Sequence, residues 1–196
     1  ATLLALERRR FVWAALALAA IPLSGQIHLA LGAVVLVAGY AWARLPRALW
    51  WQAGAGAAVA AVTAIVVQRT VVAGSIAGGR SFAQVERYSA ELGDFVSRDP
   101  RHGLEAFVFV GWLVPLLALL GFVLHRRTSL GLGLCVGALL PMVLALGANL
   151  PGYEELWETV PGLGVTRVPG RLMVITCLAL AGLAALAPLA PVRRTR

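Results

Sequence analysis

At 196 residues, 60% of them hydrophobic and only 13% charged, with a mean hydropathy of +0.82, the chain is too apolar for an ordinary water-soluble domain, which carries about 25% charged residues. The net charge of +8 does not point to a nucleic-acid partner. The basic residues are all Arg and sit between apolar blocks, as they do beside membrane spans.

Those blocks predict an all-α fold: a polytopic transmembrane bundle of about six spans, with short amphipathic interfacial helices in two outer loops. The first apolar stretch covers 11–43. As a single helix it would measure about 50 Å, against about 30 Å of hydrocarbon. Pro22-Leu23-Ser24-Gly25-Gln26 marks the break, because Pro, Gly and polar residues gather there. Spans are expected at 11–23 and 27–43, both short, and then at 49–67, 106–124, 130–147 and 172–189. The chain opens on Ala-Thr-Leu-Leu without an initiator Met, as expected of a segment of a longer protein. No signal-peptide cleavage site follows Glu7-Arg8-Arg9-Arg10.

Arginine positions orient the bundle. With the N-terminus cytoplasmic, the inner segments hold Arg8, Arg9, Arg10, Arg44, Arg47, Arg126, Arg127, Arg193, Arg194 and Arg196 against one acid, Glu7. The outer loops, 68–105 and 148–171, mix arginines with every other acid in the chain. Both termini are therefore expected in the cytoplasm. Merging the first two spans would put Arg44, Arg47, Arg126 and Arg127 outside, which favours the count of six.

In the first outer loop Ser81-Phe82-Ala83-Gln84 has the form of a capping box. Phe82, Val85, Ser89, Leu92 and Val96 then lie on one helical face, predicting an amphipathic helix on the membrane surface. Arg87 with Glu91, and Asp94 with Arg98, would pair at i,i+4. In the second loop Tyr153, Leu156, Trp157 and Val160 share a face and predict a short interfacial helix. The stretch 163–171 is too rich in Gly and Pro for helix. Gly133 and Gly137 form a GxxxG in the fifth span, a common pattern that allows close helix packing.

No P-loop, HExxH or GxSxG occurs, and no Asp, Glu or Lys lies deep in a span, which weighs against an ion-coupled transporter. Cys135 and Cys177 fall inside apolar blocks and suggest no metal site. Two readings fit Arg167 and Arg171, which flank Pro169 at the start of the last span. They bind the phosphate of a lipid through paired guanidinium donors. Or they anchor the span end and pair with Glu154, Glu155 or Glu158. Glu105 and Asp99, before the fourth span, are general-base candidates or rim charges beside Arg98 and Arg101. Arg87 and Tyr88 complete the candidates for an outer cleft. His28 and His102 both fall near the outer face, a weak basis for a metal. Trp50, Trp51, Trp112 and Trp157 suit an interfacial belt.

Two stretches carry a family resemblance. Pro151-Gly152-Tyr153-Glu154-Glu155-Leu156-Trp157, with Val160 to Arg171, resembles a segment near the C-terminal end of bacterial GT-C-type glycosyltransferase-like membrane proteins. Arg80-Ser81 and Glu86-Arg87-Tyr88-Ser89-Ala90-Glu91-Leu92-Gly93-Asp94-Phe95, followed by Glu105, Gly111 and 116–121, is similar to an upstream loop of the same group. The resemblance covers 80–187. It implies transfer of a sugar from a polyprenyl-phosphate donor at the outer face of the bacterial cytoplasmic membrane. In that group the catalytic acid lies in the first outer loop, which here is only Ser24-Gly25-Gln26. The acid, and any divalent metal, are therefore expected upstream of these residues, and no cofactor is implied by the residues present. What carries over is a lipid-phosphate role for Arg167 and Arg171. The alternatives are a lipid or polysaccharide transporter or flippase subunit, with a polar path through the spans, and a non-catalytic assembly subunit.

Overall fold

The structure, a computed structural model, describes residues 2–23, 27–67, 69–70, 81–98, 108–160 and 163–189. Ala- and Leu-rich runs of high helix propensity form α1 (Thr2–Glu7), α2 (Phe11–Leu23), α3 (Ile27–Arg44) and α4 (Trp50–Val67). They are followed by α5 (Phe82–Arg87), α6 (Leu113–His125), α7 (Ser129–Leu144), α8 (Tyr153–Thr159) and α9 (Met173–Leu186). No strand occurs among the described residues, so the fold is all-α.

Helix α3 is the common element. It packs on α1, α2 and α4 and also on α7 and α9, while α2 pairs with α4 and α6 with α9. The crossings are close because small residues occupy them. A Cβ on Gly133 of α7 would lie 2.6 Å from the Gly39 carbonyl oxygen of α3, and one on Gly137 would lie 2.9 Å from Leu36 Cδ1. Both glycines of the GxxxG thus sit in a helix contact, with α3 and α7 antiparallel. Gly121 of α6 meets the Leu183 carbonyl of α9 in the same way. The core around these crossings is built from Leu18, Leu36, Leu134, Ile175, Ala179 and Leu183, among others.

The contacts also give the bundle two unlike ends. Arg44 Nε donates to Glu7 Oε1 at 3.0 Å and Tyr40 donates to the same carboxylate, tying α1 to the end of α3. Thr128 caps α7 by accepting the Gly131 N–H at 3.0 Å and donating to the His125 carbonyl at 2.8 Å. The starts of α2, α4 and α7 and the ends of α3, α6 and α9 therefore share one end, which carries Arg8, Arg9, Arg10, Arg44, Arg47, Arg126 and Arg127. The segments 81–98, 145–160 and 163–172 lie at the other.

Helix α1 was absent from the sequence expectations, although Leu6, only 2% exposed, anchors it. The expected spans at 11–23, 27–43, 49–67 and 130–147 appear as α2, α3, α4 and α7 with small shifts. The fourth begins later than expected. Residues 108–111 are not helical, Gly111 has φ +79°, and α6 starts only at Leu113. Two helical runs, Arg47–Val67 with 21 residues and Pro169–Leu186 with 18 residues, are long and apolar enough to cross a membrane by length and composition. The other apolar helices contribute shorter stretches, so full spanning length is found for two elements rather than about six. The outside of the bundle is nonetheless apolar: Val12, Trp13, Leu116, Leu119, Val136 and Leu178 are all more than half exposed.

Candidate functional site

Residues 82–96 depart from the single amphipathic helix expected there. Helix α5 stops at Arg87, and a 3-10 turn follows at Leu92–Phe95. The cause is Ser89, which is buried and turned to other work. Its Oγ donates to the Val85 carbonyl at 2.7 Å and accepts the Ala148 N–H at 2.8 Å. Side-chain hydroxyls compete in this way with the backbone ladder. Asn149 Nδ2 donates to the Ala90 carbonyl at 2.9 Å and the Ala90 N–H to the Ala145 carbonyl at 3.3 Å. The two loops are thus stitched into one cap. The break leaves Arg87 at the end of α5 and Glu91 at the start of the 3-10 turn, in two separate elements. Asp94 is buried, with Oδ2 accepting the Glu91 N–H at 2.8 Å. The capping arrangement expected at Ser81 occurs instead between Glu91 and Asp94; Ser81 makes no side-chain cap bond.

In the second loop α8 forms where expected, but Tyr153 is 1% exposed rather than interfacial. The i, i+3, i+4, i+7 spacing says which residues share a face. It does not say whether that face meets lipid or protein. Burial pushes the Tyr153 hydroxyl from its ordinary value of 10.0 up to about 12, so it stays protonated. Trp157 Nε1 donates to the Thr166 carbonyl at 3.3 Å, and its ring meets Phe82 edge-on with centroids 5.7 Å apart. The stretch 163–171 is not wholly irregular. Leu163–Val165 and Pro169–Leu172 form 3-10 turns, the second led by Pro169, whose fixed φ suits a first helical position.

These turns bring three candidate residues together. The Tyr88 ring has the Arg87 guanidinium carbon 5.8 Å from its centroid and the Arg167 guanidinium carbon also 5.8 Å away, both within cation–π range. Arg171 stands one turn further on and lines a groove of about 580 Å3 between α9 and the 108–114 segment that leads into α6. That groove is lined by Val108, Phe109, Val110, Val174, Cys177 and Leu180, among others. The two places adjoin. Ala90 packs with Val108, Ala145 and Met173 in one buried cluster. Gly147, at φ +52°, is crowded by Ser89 Oγ on one side and by Pro169 Cγ on the other, where a Cβ would stand 2.8 Å away. Only a residue without Cβ fits this junction.

Glu105, Asp99 and His102 lie outside the described residues, as does the side chain of His28. His125 is buried at the far end, with Nδ1 3.1 Å from the Gly121 carbonyl. Among the described residues no group of three His, Cys, Asp or Glu gathers that could hold a metal. Ser89, Gly147 and Asn149, which build the cap, were not singled out from the sequence. The clue available was a Ser on an otherwise apolar face. Comparison with protein families, characterised proteins and solved structures returns no match to this chain.

The arrangement offers a positively charged rim over an apolar trough. Guanidinium forks suit phosphate oxygens, and the Tyr88 ring lies within cation–π range of two of them.

Proposed function

We propose that this chain is the membrane segment of a GT-C-like glycosyltransferase, and that its loop cap holds a lipid-linked sugar by its phosphate at the outer face of the bacterial cytoplasmic membrane. Arg171 and Arg167 bind the phosphate, the polyprenyl chain follows the groove along α9, and Tyr88 with Arg87 positions Arg167. The role assigned to these residues is binding; the chemical step is not assigned to them. Six helices cross the bilayer in this reading, with the arginine-rich end in the cytoplasm.

The observation that carries the reading is that Arg171 lines an apolar groove four residues on from Arg167, itself part of the Arg87–Tyr88–Arg167 cluster. The membrane setting is supported by the exposed apolar exterior, since soluble monomers rarely show contiguous apolar patches beyond a few hundred Å2. It is supported also by the gathering of arginines at the end away from the cap. Against a flippase with a polar path stands the lack of any Asp, Glu or Lys deep in an expected span. The buried Thr176 spends its hydroxyl on the Ala138 carbonyl at 2.9 Å.

The test is binding of a short-chain polyprenyl phosphate to the purified protein in nanodiscs, read by native mass spectrometry. Arg171→Ala and Arg167→Ala should each weaken it about ten-fold or more, since a hydrogen bond to a charged group contributes about 1.5–3 kcal/mol. Binding unchanged in both variants would reduce the pair to structural anchors and end the proposal.

A further inference from the structure

A second groove lies at the opposite end of the bundle, between the starts of α2 and α4. The two helices meet there through small residues: a Cβ on Gly56 would lie 3.3 Å from the Cβ of Ala15. With little side chain at Ala15, Ala55 and Gly56, the surface between the helices is recessed into a groove of about 800 Å3. Trp13 and Trp51 line it and are 64% and 70% exposed. Arg9, Arg10 and Gln52 also line it.

The arginines are held there by the backbone. Helix α1 ends with the Arg9 N–H donating to the Leu6 carbonyl at 2.9 Å and the Arg10 N–H to the Ala5 carbonyl at 2.8 Å. Arg9 itself takes φ 54°, a conformation uncommon for a residue with a Cβ. Leu6, buried, and Glu7, bonded to Arg44 and Tyr40, fix α1 beneath the bundle. The turn is therefore anchored on both sides, and it places Arg9 and Arg10 in the wall of the groove instead of running α1 into α2. The nearest acid in sequence, Glu7, is already paired with Arg44, which leaves this rim with a net positive charge.

We infer that the α2–α4 groove is a binding site for an anionic phospholipid. Arg9 and Arg10 take its headgroup phosphate, and one acyl chain lies over Ala15, Ala55 and Gly56 between the tryptophans. Charge complementarity selects this occupant: the cytoplasmic leaflet is the anionic one, and basic residues at its surface each favour it by about five-fold. Trp rings suit the headgroup level. The inference rests on the membrane reading but not on the phosphate role of Arg167 and Arg171.

The full chain would be purified in mild detergent and its retained lipid counted by native mass spectrometry, with dioleoylphosphatidylglycerol and dioleoylphosphatidylcholine supplied equally. Phosphatidylglycerol should be retained about 25-fold over phosphatidylcholine. The double variant Arg9→Gln/Arg10→Gln should lose that preference. Ala55→Leu, which fills the exposed groove and leaves the charge alone, should lower retention of both lipids. Equal retention by the parent, or a preference that survives the double Arg variant, would overturn the site. Loss on removing the arginines with no effect of Ala55→Leu would overturn the groove as the seat of the chain. Release of the parent from membranes by alkaline carbonate would instead sink the membrane reading as a whole.

Discussion

Substituting Gly121 with Ala measures how closely α6 and α9 approach. The added methyl would overlap the Leu183 carbonyl oxygen and stand 2.9 Å from its carbon and 3.2 Å from the Ala187 nitrogen. All three atoms are backbone, so no side chain can rotate away to make room. Overpacking costs about 1–3 kcal/mol, and rigid neighbours place this site at the upper end, near 3. Ala gains about 1 kcal/mol over Gly in helix propensity, leaving a net loss of about 2 kcal/mol. Gly54→Ala in α4 is the matched control, because a Cβ there meets nothing within 4 Å. It should stabilise by up to about 1 kcal/mol. The two variants should therefore differ by about 3 kcal/mol, with opposite signs, in reversible unfolding from mixed micelles followed by far-UV circular dichroism. If Gly121→Ala were as stable as Gly54→Ala, α6 and α9 would not be in backbone contact and the close-crossing account of this bundle would be wrong.

Thr176→Val removes the bond to the Ala138 carbonyl and should cost about 0.6 kcal/mol, at most about 1.7, in the same unfolding measurement. Gly147→Ala should part the cap from the bundle, because it forces both an unfavourable φ and a clash with Ser89 and Pro169. Hydrogen exchange would then show faster exchange of the Ala90 and Ala148 amides with α6 and α9 still protected; uniform protection would contradict the junction. The Glu7 carboxyl is held below its ordinary 4.5 by the hydrogen bonds from Tyr40 and then Arg44. Its contribution is therefore fully present above that value and is lost as pH falls through the lowered one. The pair is largely exposed, so the effect is local, seen as fraying of α1 in acid. Glu7→Gln should show that fraying at neutral pH and lose the acid step, and an α1 indifferent to both would refute the anchor.

The apolar helices were legible because long runs rich in Ala and Leu favour helix. The arginine clusters mark the helix ends that gather at one side of the bundle, whereas Pro22 and Leu23, expected at the break, belong to α2 and residues 24–26 lie outside the described residues. The cap was less legible for a definite reason. Helical periodicity over 82–96 treated Ser89 as a small apolar residue, whereas its hydroxyl is satisfied by Val85 and by the Ala148 amide, remote in sequence. A bond of that kind leaves no local signature. Arg167 and Arg171 could be picked out as a pair, but their separate settings, one over Tyr88 and one lining a groove, depend on where Gly147 lets Ser89 and Pro169 meet. The late start of α6 was hidden in a stretch whose composition is as apolar as the helix itself.

The double engagement of α3 bears on how the protein is made. Its partners α1, α2 and α4 are near in the chain, and chains fold from the N-terminal side as they emerge. The face bearing Gly32, Leu36 and Gly39 has its partners in α7 and α9, which are translated long afterwards. During synthesis α1–α4 form an unfinished half of this bundle, with the strip of α3 bearing Gly32, Leu36 and Gly39 uncovered where α7 and α9 will dock. A chain halted after α4 would keep α2 against α4 but leave that strip open to whatever lies beside it. Completion of this bundle is thus set by the arrival of α7 and α9, and the interval before it is when α3 is most exposed to a wrong partner.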